Sequence, residues 1–286
     1  MSHFKGMIVL SYIMLNLLIA SIPLMILVFC KALIPFNPVQ RGTYYLMTRL
    51  YGIATWIDDL LFWNFLGTEL EIRGTIDKSK EETHLIIANH RSWTDILILQ
   101  SIFNDKTPVL KFLIKKALRY VPFVGWICWA YEYPFIPLKL ENGHPVGQSH
   151  AKEKLKQDLT KLKHSPATIV NFAEGTRFTN IKWQKQNSPY SYLLKPKTGG
   201  FKIILDEFGN LIHSIYDVTI VYDSLNHTFW DFLCGNCKKI IVVLQKIPLD
   251  DASFPPEPYE KEALQQWINK QWQQKDHIIQ NVLNES

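Results

Sequence analysis

The chain carries 286 residues, 47% hydrophobic and 20% charged, a balance that excludes a disordered or collagen-like polypeptide and leaves ample apolar material for a core. Thirty-one Lys and Arg against 26 Asp and Glu give a net charge of +5, which suits an anionic ligand or a membrane surface and is too weak to argue for nucleic acid. Four cysteines, at positions 30, 128, 234 and 237, exclude a disulfide scaffold, while nine Trp are a load common where protein meets lipid headgroups.

Residues 7–29 run without a charge, interrupted only by Ser11, Asn16, Ser21 and Pro23. About 20 such residues cross a bilayer core as a helix, so the run predicts a spanning or deeply re-entrant membrane anchor. It is too long for the apolar region of a signal peptide, and no small-residue cleavage site follows it. Lys5 precedes the run, whereas Lys31, Arg41 and Arg49 follow it before the first acid, Asp58. That asymmetry predicts a membrane protein with its bulk on the cytoplasmic side, the inner membrane in a bacterium. Pro23 and Asn16 leave open a monotopic hairpin with the next segment. There, residues 44–65 carry apolar side chains at helical spacing and predict an amphipathic helix with Trp56 and Trp63 as interface anchors.

Beyond Gly67 the pattern changes to short apolar runs, at residues 85–88, 109–113, 135–138, 168–172, 218–222 and 240–244. Helical stretches at 93–103, 150–162, 201–206 and 258–282 alternate with them, the last carrying Leu264, Trp267, Ile268 and Trp272 on one stripe. The alternation predicts an α/β fold with a central, mostly parallel sheet flanked by helices. Residues 182–196 are polar and turn-rich and predict an exposed loop. The organisation reads as an anchor (1–36), an amphipathic interfacial helix (37–67), an α/β domain (68–250) and a C-terminal helix packed on it (251–286).

The residues that carry chemistry follow the run 85–88: Asn89-His90-Arg91-Ser92-Trp93-Thr94-Asp95. Functional groups in open α/β sheets collect at the carboxyl ends of strands. Five residues along a straight helix would turn about 500°, so His90 and Asp95 meet only across a bend. Ser-x-x-Asp supplies one as a capping signature that starts a helix at Ser92. A His–Asp dyad follows, with Asp95 fixing the imidazole tautomer, His90 taking a proton, and the helix N-terminus offering N–H groups to an oxyanion. A second block, Asn171-Phe172-Ala173-Glu174-Gly175-Thr176-Arg177, also ends a buried run, and Arg177 offers a planar fork suited to phosphate. Gly147-Gln148-Ser149-His150-Ala151 imitates a nucleophile elbow but follows no buried strand, so Ser149 reads as a helix cap. Cys234 and Cys237 have a zinc-like spacing, for which a hairpin turn in a reducing compartment suffices, and no metal site is expected.

Together the two blocks resemble the glycerophospholipid acyltransferase family, the PlsC-like 1-acylglycerol-3-phosphate acyltransferases. Asn89, His90, Ser92 and Asp95 match its Asn-His-x-Ser-x-x-Asp motif. Phe172, Glu174, Gly175, Thr176 and Arg177 match Phe-Pro-Glu-Gly-Thr-Arg, with Ala173 in place of the proline. Lys115-Lys116-Ala117-Leu118 and Pro122-Phe123-Val124-Gly125-Trp126 look like intervening family stretches. The resemblance implies acyl transfer from a thioester, acyl-CoA or acyl carrier protein, to a lysophospholipid hydroxyl, with no other cofactor and with membrane lipids as partners. His90 would be the general base and Asp95 its orienter. Arg177, Lys116, Glu174, Gly175, Thr176, Asn89, Ser92 and Lys139 would form the substrate site, Arg177 and Lys116 taking the acceptor phosphate. The chain departs from the family's Gly-x-x-Phe-Ile-x-Arg at Glu132-Tyr133-Pro134-Phe135-Ile136-Pro137-Leu138-Lys139, leaving the headgroup open between lysophosphatidic acid and a related lysophospholipid. The alternatives are a membrane-associated lipid hydrolase and a non-catalytic module gripping anionic headgroups with Lys111, Lys115, Lys116 and Arg119.

Overall fold

A computed structural model describes residues 2–34, 36–136, 140–141, 144–145, 147–249 and 254–285. The chain opens with two long helices, α1 (Ser2–Leu33) and α2 (Asn37–Asp59), the second continuing as a π-helical turn over Leu60–Phe65. Strands β1 (Glu69–Arg73), β2 (Thr83–Ala88) and β3 (Leu110–Phe112) follow, with α3 (Thr94–Phe103) between the last two. Next come β4 (Ile114–Lys115), α4 (Val124–Ala130), β5 (Phe135–Ile136), β6 (Leu140–Glu141), β7 (His144–Pro145) and α5 (Gln148–Lys161). The remainder is β8 (Thr168–Phe172), α6 (Asn180–Gln186), α7 (Thr198–Phe208), β9 (Ile212–Tyr222), α8 (Phe229–Leu233), β10 (Lys239–Ile247) and α9 (Lys261–Glu285).

Six strands form one sheet in the order β1-β10-β9-β2-β8-β3, in which only the β9–β10 pair is antiparallel. This is the mostly parallel α/β sheet expected. Alternation along β2 shows how it is covered: Ile86 and Ala88 join the core beneath α1–α4, whereas Leu85 and Ile87 join the core beneath α5, α7 and α9. A strand buried on both faces must be apolar throughout, which is why residues 85–88 were legible as an unbroken run.

Two strands depart from the reading. The run 69–73, Glu-Leu-Glu-Ile-Arg, carries too many charges to read as a buried strand, and it is an edge strand against β10. β9 begins at Ile212 rather than 218, because His213, Ser214 and Asp217 break the apolar pattern while the backbone continues the ladder. The segment 182–196 is corrected more strongly: it carries the end of α6, and Tyr190, Leu193 and Leu194 are buried. Gly147, not Ser149, occupies the N-cap of α5, and Ser149 lies exposed inside the helix.

Among the described residues α1 is the one helix long and apolar enough to cross a membrane. Its Gly6, Val9, Ile13, Asn16, Ala20 and Leu24 form a buried stripe, while Leu15, Ile19, Ile22, Ile26 and Phe29 are exposed on the other side. α2 runs antiparallel to it. Gln40 Nε2 reaches the Lys31 carbonyl at 2.6 Å, and Asn16 Nδ2 donates to Ala54 O at 3.0 Å and Asp58 Oδ1 at 2.8 Å. Of the two expected anchors, Trp56 is exposed, but Trp63 turns inward and donates to Asp59 Oδ1 at 3.1 Å.

Candidate active site

Parallel register brings the two motif blocks side by side. Ala88 stands opposite Phe172 on β8 and Val218 on β9, so the chain leaves β2 and β8 at the same level. Asn89 extends the β2–β9 ladder with its side chain, its amide nitrogen donating to Ile220 O at 3.0 Å and its amide oxygen accepting from Ile220 N at 2.8 Å. The bend after this strap then swings His90 back over the end of the sheet. There the imidazole stacks on Phe172, centroids 4.0 Å apart and 15° from parallel.

His90 Nδ1 lies 2.8 Å from Asp95 Oδ2. The same oxygen accepts from Arg91 N at 2.6 Å and Ser92 N at 2.9 Å, and Oδ1 accepts from the Tyr222 hydroxyl. Four donors fill the capacity of an acceptor-only carboxylate, so Nδ1 carries the imidazole proton and Nε2 keeps the free lone pair. Burial, and next the Asp95 charge, hold the Tyr222 phenol well above its ordinary pKa, which keeps it a donor.

The bend is built differently from the capping box expected. The helix starts at Thr94, not Ser92; Ser92 Oγ accepts from Thr94 N at 3.3 Å, and the Asp95 carboxylate binds back to the two preceding N–H groups. The N–H groups of Asp95 and Ile96 go to Ser92 O and Trp93 O. The amides of Arg91, Ser92, Thr94, Asp95 and Ile96 are therefore consumed within the turn, and the expected oxyanion donors are not available from them.

The second block clasps the first. Phe178 N donates to His90 O at 2.8 Å, and Lys197 N to Ala173 O at 2.7 Å. Gly175 has φ +67°, a conformation that costs a side-chain-bearing residue roughly 1–2 kcal/mol. Glu174 is fully buried beneath the His90 loop, accepting from Leu194 N at 3.4 Å and from the backbone of His90. Burial raises its carboxyl to about 8, with these hydrogen bonds and the Arg91 charge opposing.

That shift has a direct consequence for stability. Below the ordinary carboxyl value of 4.5 both folded and unfolded chains hold the proton, and between there and about 8 only the folded chain does. Glu174 therefore makes stability fall as pH rises through this window. Glu174→Gln removes that slope, so the stability of the variant relative to wild type should increase with pH when unfolding is followed by urea titration. A difference independent of pH would refute the assignment.

Beside the dyad is a cavity of about 320 Å³ lined by Arg91, Arg177, Lys182 and the loop from Leu225 to Phe229, among others. Arg91 staples it together, donating to Leu225 O at 2.9 Å and Tyr192 O at 2.8 Å with its guanidinium 4.4 Å from the Phe178 ring. Arg177 is exposed and lies 5.1 Å over Trp93. Lys182 Nζ donates to Thr176 Oγ1 and Arg177 O, both at 2.8 Å. Its ammonium is pushed below its ordinary pKa by burial and then by the charges of Arg177, Lys115 and Lys197, a crowding of cations that attracts an anion.

The structure thus brings together His90, Asp95, Glu174, Gly175, Thr176 and Arg177, with Asn89 and Ser92 as buried supports. Lys116 lines another cavity, with Arg119, His150 and Lys154. Lys139 lies outside the described residues. Lys111, assigned to headgroups in the binding-module alternative, is buried and donates to Tyr131 O. Tyr222, Arg91 and Lys182 were not anticipated, since a strand-end tyrosine and a loop lysine announce nothing until register and packing are known.

A family model described as Acyltransferase matches residues 69–223. The chain is 26% identical to lysocardiolipin acyltransferase 1 of Mus musculus, over 80% of this chain and 62% of that protein. It is 23% identical to 1-acyl-sn-glycerol-3-phosphate acyltransferase epsilon of Mus musculus, over 87% of this chain and 70% of that protein. The chain therefore spans less than two thirds of the first relative's length. Among solved structures, the 1-acyl-sn-glycerophosphate acyltransferase PlsC of Thermotoga maritima superposes with a TM-score of 0.60 at 14% identity, covering 98% of each chain, a likeness of fold. The matched stretch takes in both blocks that meet at the His90–Asp95 pair, and on that ground the chain belongs to the Acyltransferase family, the one its PlsC-like motifs resemble.

Proposed function

We propose that this protein transfers a fatty acyl group from a thioester, acyl-CoA or acyl carrier protein, to the free hydroxyl of a phosphate-bearing lysophospholipid. The observation that carries the reading is the His90 ring, fixed at Nδ1 by Asp95 and set beside the cationic cavity of Arg177 and Lys182. In the reaction, the acceptor hydroxyl oxygen attacks the thioester carbonyl carbon while its proton passes to His90 Nε2. The tetrahedral intermediate then expels the thiolate as the C–S bond breaks, and the imidazolium returns the proton to sulfur. Asp95 holds the tautomer and steadies the imidazolium, without itself taking the proton. Arg177 and Lys182 receive the acceptor phosphate, a role in keeping with relatives named for 1-acylglycerol-3-phosphate and lysocardiolipin acceptors.

The test is a screen of purified protein in mixed micelles, pairing lysophospholipids with acyl donors and reading lipid product by mass spectrometry beside thiol release. Acylated phospholipid formed in step with thiol supports transfer; free fatty acid released equally with and without acceptor would favour the hydrolase instead. Arg177→Ala should raise acceptor KM about tenfold or more with kcat kept, because a phosphate clamp binds ground and transition states alike. An unchanged acceptor KM would remove Arg177 from the site.

We further assign membrane attachment to α1, with the catalytic domain on the cytoplasmic side, on the strength of its exposed apolar face and the basic residues that follow it. Ile19→Asp with Ile26→Asp changes that face and leaves the buried stripe intact. At about 2.5–3.5 kcal/mol per charge in hydrocarbon, the pair should move protein from the membrane to the soluble fraction in flotation assays. Full membrane retention would shift attachment to α2 and the exposed Trp126 and Trp129 of α4.

A further inference from the structure

Cys237 is fully buried and lies close to two other potential metal ligands, Asp223 and His227. Its partner is not Cys234, as the Cys-x-x-Cys spacing would suggest: Cys234 packs against α1, where a Cβ added to Gly6 would meet its Sγ at 2.8 Å. The atoms that converge are Asp223 Oδ1, His227 Nε2 and Cys237 Sγ, all within 4.8 Å of one another. Oδ1 lies 2.8 Å from Nε2 and 3.6 Å from Sγ. Tetrahedral coordination with bonds of about 2.0–2.3 Å separates ligand atoms by about 3.3–3.8 Å. The Asp–Cys pair already has that spacing at 3.6 Å, and the His–Asp hydrogen bond must open by about half an ångström.

We propose that Asp223, His227 and Cys237 form a binding site for a thiophilic divalent metal, Zn²⁺ by its preference for thiolate and imidazole. The carboxylate is already oriented from behind, Oδ2 accepting from Lys238 N at 2.8 Å and Lys239 N at 3.2 Å, which leaves Oδ1 aimed at the other two ligands. His227 is carried on a loop fixed just beyond it by the Thr228–Asp231 capping box. Cys237 is approached through His227 and Asp223, whose side chains are 15% and 26% exposed. Three protein ligands leave a fourth position to solvent. On coordination the metal replaces the thiol proton, which passes to solvent.

The location gives the site a purpose. Asp223 directly follows Tyr222, whose hydroxyl holds Asp95, and His227 lines the cavity that also contains Arg91 and Arg177. A metal here would tie the end of β9, the cavity loop and the turn before β10 into one unit.

The experiment is a titration of the detergent-solubilised full chain with Co²⁺ as spectroscopic probe. One Co²⁺ per chain is expected, with a thiolate-to-cobalt charge-transfer band, the intense d–d absorption of a tetrahedral ion, and bleaching of both by Zn²⁺. Cys237→Ser should abolish the charge-transfer band, and Cys234→Ser should keep it. His227→Gln, on a partly exposed loop and so independent of whether the buried cysteine variant folds, should weaken Co²⁺ binding by more than the roughly 10–100-fold that losing a mere outer-shell partner costs. No band in the wild type, a band that survives Cys237→Ser, unchanged affinity in His227→Gln, or loss with Cys234→Ser alone would each overturn the proposal. The Asp–His contact would then be a structural cap.

Discussion

His90→Ala should reduce acceptor-dependent thiol release by about 10²–10⁴-fold, the usual share of a positioned general base, while the protein stays folded and attached to membranes. The imidazole is partly exposed and its removal leaves Asp95 with three remaining donors, from Arg91 N, Ser92 N and Tyr222, so the turn keeps its shape. Asp95→Ala should be as inactive for a different reason. It leaves both backbone N–H groups and a buried phenol without their acceptor, at about 1–3 kcal/mol for each unsatisfied group, and so lowers the unfolding midpoint as well. Tyr222→Phe removes one donor of the four and should cost far less activity than either. Circular dichroism and flotation run beside the kinetics separate the cases. Full activity in His90→Ala would end the general-base assignment.

What could be read from the sequence, and what could not, divides along physical lines. Doubly buried strands declare themselves because both faces must be apolar: β2 and β8 lay where the runs 85–88 and 168–172 put them. The edge strand β1 escaped because an edge strand need not be apolar, and the first half of β9 because its buried Ser214 and Asp217, with exposed His213, interrupt the apolar run. The His90–Asp95 contact was legible as a requirement, since two groups five apart meet only across a bend. The construction of that bend was not, because a serine two residues before a helix and a serine capping it look identical in sequence. Hence the amides expected for an oxyanion belong instead to Asp95 and to the turn. The cationic cavity was half legible. Arg177 was singled out by its motif, but Lys182 reaches the site on α6, a short helix in a stretch whose polar composition looks like loop. Lys116 shows the converse, a motif lysine that lines a cavity other than the one lined by Arg177 and Lys182.

The largest effect on stability is expected from Lys275, which lies on α9, outside the stretch matched by the family model. Its side chain is wholly buried, with Nζ 2.5 Å from Asp217 Oδ1 and 2.6 Å from Val218 O. A further contact to Ile87 O at 3.4 Å places the ammonium across β2 and β9, two residues before Asn89 on one strand and two before Ile220 on the other. His90 lies just past the end of β2 and Tyr222 closes β9, so this one cation pins the C-terminal helix to the part of the sheet that holds the dyad. Lys275→Ala strands the Asp217 carboxylate in an apolar interior without a counter-charge, which typically costs about 3–5 kcal/mol. A fall in melting temperature of the order of 10 °C is expected. Because the loss arises from the orphaned charge, removing both partners should undo much of it: Lys275→Met with Asp217→Leu should recover most of the stability that Lys275→Ala loses. A stabilised double variant with lowered kcat and unchanged acceptor KM would show that the ammonium also sets the register of the two strands. If Lys275→Ala melts within a degree or two of wild type, the buried pair contributes nothing and α9 is held by its apolar stripe, Leu264, Trp267, Ile268, Trp272, Ile279 and Val282, and by the hydrogen bonds of Asp276 to Ser191 N and Tyr192 N.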